Sequence, residues 1–204
     1  MKIILCALDK ELAEAWQSEC SDCDLVAIHQ GSILDVDCDA IVSPANSFGF
    51  MDGGLDAVYR RHFGDEIQRV VRRQIHEYHQ GELIVGAADI VETGKENIPF
   101  LIVAPTMRVP VVLQNSVNAY LAARAVFILC LHGCFKKGPY AGQKVSKVVD
   151  TVAMPGLGTG VGQIGAKVCA VQVRQALNEI LYERYAMPES WAEANRRHRL
   201  LCAG

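Results

Sequence analysis

Two glycine-rich loops carry the residues of this chain best suited to chemistry. The first runs Ser43-Pro-Ala-Asn-Ser-Phe-Gly-Phe-Met-Asp-Gly-Gly-Leu-Asp-Ala57, and the second runs Met154-Pro-Gly-Leu-Gly-Thr-Gly-Val-Gly162. Glycines at alternate positions between a predicted strand and a predicted helix let backbone wrap closely around phosphate, with unpaired N–H groups and the positive end of a helix turned toward the anion. Asp52 and Asp56 add two carboxylates at the start of the helix after the first loop. Such a pair can position and activate water, while an aspartate in a first turn is equally accounted for by the helix macrodipole. Phe48 and Phe50 flank Gly49, where aromatic rings can stack on a ligand, close over it, or pack the loop. Together the loops predict a nucleotide-diphosphate site.

The elements that must hold these loops alternate between strand and helix. Lys2–Leu8 is a continuous apolar run, Glu11–Glu19 predicts a short polar helix, and Asp24–His29 and Asp39–Ser43 predict strands. Leu55–Phe63 predicts a helix stopped by Gly64. Asp65 is placed to cap a longer helix whose Ile67, Val70, Val71, Ile75 and Tyr78 recur at helical spacing. Leu83–Val91 and Phe100–Ala104 predict a hairpin around Thr93–Asn97, and Thr106, Met107 and Arg108 follow it onto the same rim as the loops. Asn115 or Ser116 can cap an apolar helix through Leu131, Lys147–Met154 predicts the strand before the second loop, and Ile164–Tyr185 predicts the last long helix. This succession predicts an α/β fold, a three-layer α/β/α sandwich whose central sheet is mixed because a hairpin cannot be parallel. In such sheets ligands collect beyond the carboxyl ends of strands, where both loops lie. A single domain is expected over residues 1–187, followed by a C-terminal tail or helix over 188–204.

A chain of 204 residues, half of them hydrophobic, can bury one substantial core. Its formal net charge of -3 leaves affinity for polyanions to local geometry, so nucleic acid is not expected as a partner. The apolar start is too short for a signal segment, and the run Ala119–Leu131 is interrupted by Arg124, so no membrane span is expected and the protein is expected to be cytoplasmic. Eight cysteines fall largely within predicted strands and helices, where thiols behave as small hydrophobes. Cys20-Ser-Asp-Cys23 has ligand spacing without a second pair, so no metal and no cofactor is expected.

These pieces resemble the macro domain family, which binds ADP-ribose and in some branches hydrolyses ADP-ribose linkages. The likeness spans most of the chain: Gly31-Ser32-Ile33 resembles the family's Gly-Asp-Ile turn, Ser43-Pro44-Ala45-Asn46 its Asn-Ala-Ala-Asn segment, Met51–Ala57 its glycine run with Val-Asp-Gly, and Gly156–Gly162 its late loop. The resemblance implies that Asn46, whose amide donates and accepts, holds the distal ribose, although an asparagine after Pro44 can also simply cap the turn. It implies a ligand-binding set of Ser32, Ile33, Asn46, Phe48, Gly53, Gly54, Pro155, Gly156, Leu157, Gly158, Thr159, Gly160 and Val161. It implies catalytic roles for Asn46 and Asp56, and Asp52, which stands where relatives usually have glycine, adds a second carboxylate to complete a catalytic set of Asn46, Asp52 and Asp56. The partner implied is ADP-ribose or an ADP-ribosylated substrate, with ADP-ribose-1″-phosphate among the linkages acted upon.

The departures are specific. Ser32 stands where the family places an acid that accepts from the adenine amino group, and a hydroxyl accepts more weakly, unless Asp35 or Asp37 reaches the base instead. Arg60 stands where some hydrolytic relatives have a histidine, and a guanidinium is no base near neutral pH. Neither the first helix nor the late loop carries the lysine and acid of the family's lysyl mechanism. Gly160-Val-Gly-Gln-Ile-Gly165 matches a dinucleotide fingerprint, but no further strand with a terminal acid follows its helix, so the NAD-enzyme reading fails. A hydrolase, a non-catalytic reader and a scaffold or nucleic-acid-end module stay open as functions.

Overall fold

A computed structural model describes residues 1–204. Its centre is a six-stranded sheet of β1 (Lys2–Ala7), β2 (Val26–Gln30), β3 (Ala40–Ser43), β4 (Asp89–Glu92), β5 (Phe100–Val103) and β6 (Thr151–Met154), in the order β2-β1-β6-β3-β5-β4. All neighbours are parallel except β4 and β5, which pair antiparallel with Ile90 opposite Ile102. The mixed three-layer sandwich expected from the sequence is the fold observed.

Side chains of a strand point alternately to opposite faces, and this parity sorts the core in two. Ile3, Leu5, Val42, Ile102, Val152 and Met154 face one layer, packed with α1 (Lys10–Cys20), α4 (Asn118–His132) and α5 (Ala166–Ile180). Ile4, Cys6, Ile41, Leu101, Val103 and Ala153 face the other, packed with α2 (Gly54–Phe63) and α3 (Glu66–Tyr78). Alanines at positions 119, 122, 123 and 125 of α4 are all buried, which lets this helix sit close to its neighbours. The C-terminal helix α6 (Trp191–Ala203) buries no residue and rests on α5, where Gln172 Nε2 donates to the Leu201 carbonyl at 3.0 Å. No helix is long and apolar enough to cross a membrane.

Several boundaries differ from the sequence reading. The strand expected over Leu83–Val91 shrinks to Asp89–Glu92, because Leu83 N donates to the Ser47 carbonyl at 2.9 Å and Gly86 turns at φ +93°, which leads this segment away from the sheet. The last long helix stops at Ile180 rather than Tyr185, and the strand expected from Lys147 begins at Thr151, after a short 3-10 turn over Val145–Lys147. Asp65 makes no cap on α3; its carboxylate accepts from Arg60 Nε at 2.7 Å instead. The cysteines are free thiols, and burial pushes Cys6, Cys20, Cys130 and Cys169 up to about 12. Arg174 braces the Cys20–Cys23 turn by donating to the Glu19 carbonyl at 2.8 Å and to Cys23 Sγ at 2.9 Å.

At the amino ends of the central strands Asp39 acts as a knot. Its Oδ2 accepts from Asp150 N at 2.9 Å and Thr151 N at 2.8 Å, its N–H donates to the Thr151 carbonyl, and its carbonyl accepts from Phe100 N. The side chain therefore ties β3 to β6 while its backbone also pairs with β5. Asp39→Ala leaves two N–H groups without their acceptor, and the expected cost in urea unfolding is about 1–3 kcal/mol, with Asp39→Asn losing less.

Candidate functional site

The strands run parallel from β2 to β5, so their carboxyl ends share one edge of the sheet, and a cleft of about 620 Å³ opens along it. Gly31 and Ile33 follow β2 at one end, Leu8 and Asp9 follow β1, and the second glycine loop follows β6. Pro44, Ala45 and Asn46 follow β3, with Thr106, Met107, Val109 and Pro110 beyond β5 at the far end. The strand order alone brings together loops that are more than a hundred residues apart in sequence.

Two rows of unpaired backbone donors line this cleft. The N–H groups of Gly158, Thr159, Gly160, Val161 and Gly162 donate to no protein acceptor, and neither do those of Gly53, Gly54, Leu55 and Asp56 at the start of α2. No lysine, arginine or histidine lines the cleft. Any anion held there is held by backbone and by the α2 macrodipole. Glycine is needed for two reasons. Gly54 (φ +56°) and Gly158 (φ +72°) occupy left-handed backbone, whereas a Cβ on Gly53, Gly54 or Gly160 would meet no protein atom within 4 Å and would stand in open space. At Gly158 a Cβ would instead lie 2.7 Å from Ile164 Cδ1, so this glycine also serves packing. The sequence reading had each loop hand the anion to a helix start. Only α2 does so, since Gly165, the N-terminal flank of α5, lies outside the cleft wall.

Asp56 is the buried acid of the site. It is 7% exposed, its Oδ1 accepts from Ser43 Oγ at 2.5 Å, and Oδ2 has no protein donor. Burial raises its pKa from 3.8 to about 6 against the opposing pull of the Ser43 hydroxyl. Asp52 is exposed on the rim and bound by Arg60, which also holds Asp65. The two carboxylates thus share the cleft but differ in environment.

Asn46 also lines the cleft, with its amide committed to its own loop: Nδ2 donates to the Phe50 carbonyl at 2.8 Å, and Oδ1 accepts from Phe48 N and Phe50 N at 3.2 Å each. One Nδ2 hydrogen remains for a ligand. This loop is pressed against α3, since a Cβ on Gly49 (φ +67°) would lie 2.8 Å from Val71 Cγ1. Its rings are gripped by two guanidiniums, Arg72 at 4.0 Å over Phe50 and Arg108 at 5.0 Å over Phe48. Arg108 also forms a fork with Glu82, at 2.7 and 3.1 Å.

Ile33, Phe48, Pro155 and Gly156 line the cleft with the residues above, but two expected members do not. Ser32 turns its hydroxyl back to Leu34 N at 3.2 Å, and Leu157 is fully buried in the core with its N–H on Cys169 Sγ. Asp35 and Asp37, the substitutes considered for Ser32, are exposed outside the cleft. The sequence reading missed Leu8, Asp9 and Leu12. Their signal was present, because an apolar run closed by an aspartate before a helix is the same strand-to-helix turn that marks the other two loops.

The raised pKa of Asp56 makes a stability prediction. The folded protein holds this proton more tightly than the unfolded chain, so stability falls as pH rises from 3.8 to about 6 and stays lower above that. Asp56→Asn keeps an acceptor for Ser43 and removes the buried charge. It is expected to raise stability at pH 8 by about 1–3 kcal/mol and to change it little at pH 4, as thermal melts of both proteins at the two pH values would show.

Solved structures with this arrangement of strands and helices include the macrodomain of Mycobacterium tuberculosis DarG (18% identical, 74% of this chain and 88% of that one, TM-score 0.58). An Oceanobacillus iheyensis macrodomain with ADP is 19% identical over 75% of this chain and 74% of that one, with TM-score 0.59. A Trypanosoma brucei macrodomain in complex with ADP-ribose is 16% identical over 87% of this chain and 68% of that one, with TM-score 0.53. These identities carry the likeness of fold alone. In sequence, an uncharacterized protein of Aquifex aeolicus is 35% identical over 145 residues, covering 71% of this chain and 76% of its own length. Another, of Aeropyrum pernix, is 30% identical over 152 residues, 74% and 70% of the two. The model of the Macro domain family matches residues 42–173, a span that takes in both glycine loops, α2 and the first half of α5, and on that match this chain belongs to the macro domain family.

Proposed function

We propose that the cleft binds ADP-ribose or a related ADP-ribosyl metabolite, with its diphosphate between the N–H row of Gly158–Gly162 and that of Gly53–Asp56. The observation that carries this reading is the two rows of unpaired donors on the walls of a cleft that contains no cationic side chain. Backbone N–H groups suit a compact diphosphate, whereas a nucleic-acid backbone is ordinarily met by lysine and arginine. The folds of macrodomains solved with ADP and with ADP-ribose support the same ligand class.

Asp56 supports hydrolysis of ADP-ribosyl linkages as the activity of this site. A carboxyl with a pKa near 6 and one oxygen without a protein donor is suited to take a proton from water near neutral pH. A specific observation favours a non-catalytic reader instead: Asp52 is bound by Arg60 and the Asn46 amide by its loop, which leaves Asp56 as the one acid of the catalytic set free to act.

Calorimetry with ADP-ribose tests the binding. Gly160→Val is expected to fold with unchanged Tm, because a Cβ there meets nothing, and to bind at least tenfold more weakly by placing a side chain over the donor row. Full affinity in this folded variant removes the loop from the site. Product analysis with ADP-ribosylated protein and ADP-ribose-1″-phosphate then separates the two activities. A hydrolase loses turnover in Asp56→Asn while still binding ADP-ribose, and a reader binds without forming product.

A further inference from the structure

Three helices begin at strand ends around this cleft or just behind it, and their starts are not alike. Those of α2 and α5 have glycine at the cap, with no side-chain bond to their free N–H groups. That of α1 is closed by Asp9, whose Oδ1 accepts from Leu12 N at 2.8 Å. With the Leu12 N–H taken by this carboxylate, the corner offers an anion fewer open donors than the two glycine rows do. The β1–β2 end of the cleft is left to something uncharged.

The surroundings of Asp9 say what that is. Leu8, Leu12, Ile33 and Gly31 line the same end of the cleft, and Leu8 is 76% exposed despite being apolar. Each of the three carboxylates that line the cleft has one oxygen bound, Asp56 by Ser43, Asp52 by Arg60 and Asp9 by Leu12 N, and the other without a protein donor. Asp9, which is exposed, is the one of the three that follows β1 and so lies at this end. An apolar slot with a single strong acceptor fits a flat heteroaromatic ring that carries an exocyclic N–H donor.

We infer that Asp9 is the base-selecting residue of this cleft, its free carboxylate oxygen accepting from the exocyclic amino group of a nucleotide base seated against Leu8, Leu12 and Ile33. The inference rests on the proposal that the cleft takes an ADP-ribosyl ligand, and it explains how a site whose Ser32 hydroxyl is spent on its own turn can still read a base.

The experiment is calorimetry of the whole protein with ADP-ribose and with its analogue in which the 6-amino group is replaced by hydrogen, in the wild type and in Asp9→Ser and Asp9→Asn. Serine and asparagine cap helices as well as aspartate does, so Tm is expected to hold. The wild type is expected to prefer ADP-ribose by about tenfold, and Asp9→Ser to bring the two affinities together by weakening ADP-ribose alone. Asp9→Asn, with its Oδ1 kept on Leu12 N, turns a donor to the ring and is expected to lose the preference as well. An unchanged ratio in both variants overturns the inference while leaving the ADP-ribosyl site standing. Equal weakening of both ligands assigns Asp9 to a sugar hydroxyl and also overturns it. If the wild type binds neither ligand, the reading of the cleft falls and the inference with it.

Discussion

A strand that is parallel to its neighbours must return to the opposite edge of the sheet before the next begins, and this constraint governs the rest of the molecule. It sends β1, β3 and β6 out at one edge, and at that edge the chain turns into α1 or into the loops that lead to α2 and α5. Each turn leaves backbone donors that its own helix cannot use. Where a side chain closes the turn, as Asp9 does, it takes up one of the donors, Leu12 N; where glycine stands, at 53–54 and 158–162, no side chain does so. The cleft is thus made by topology, and its open donors by which turns lack a capping side chain.

The polar side chains in and around the cleft are divided between holding the loops and facing the cavity. Asn46 and the Arg72 and Arg108 guanidiniums fix the Phe48–Phe50 loop, and Arg60 fixes Asp52, so these groups shape the rim. Asp56 differs because burial dominates its environment and only Ser43 offsets it. A buried acid costs stability in its charged form, which is why the same residue governs both the pH dependence of folding and the proton chemistry open to the site.

Legibility in the sequence followed locality. The strand–helix succession, both glycine loops and the placement of Asp52 and Asp56 at a helix start could be read because glycine runs, caps and periodicity act within a few residues. The strand expected over Leu83–Val91 begins only at Asp89, because Leu83 N is taken by the carbonyl of Ser47, far away in sequence. Asp65 was misassigned as a cap because local preference could not foresee its competing partner, Arg60. Ser32 and Leu157 fell within matching motifs yet face their own turn and the core, since a motif fixes position along the chain and not the direction of a side chain.

The sequence by itself determined the alternation of elements, the family resemblance and the two glycine-rich loops, because propensity, turn chemistry and spacing are written residue by residue. Only the tertiary structure decided which groups are left unpaired. The strand order that places Gly53–Asp56 beside Gly158–Gly162, the burial that lifts the Asp56 pKa, and the convergence of Leu8, Asp9 and Ile33 at one end of the cleft depend on contacts between distant segments. Whether a donor, a charge or an apolar surface is available to a ligand depends on what the rest of the chain has already used, and that is known only once the chain is folded.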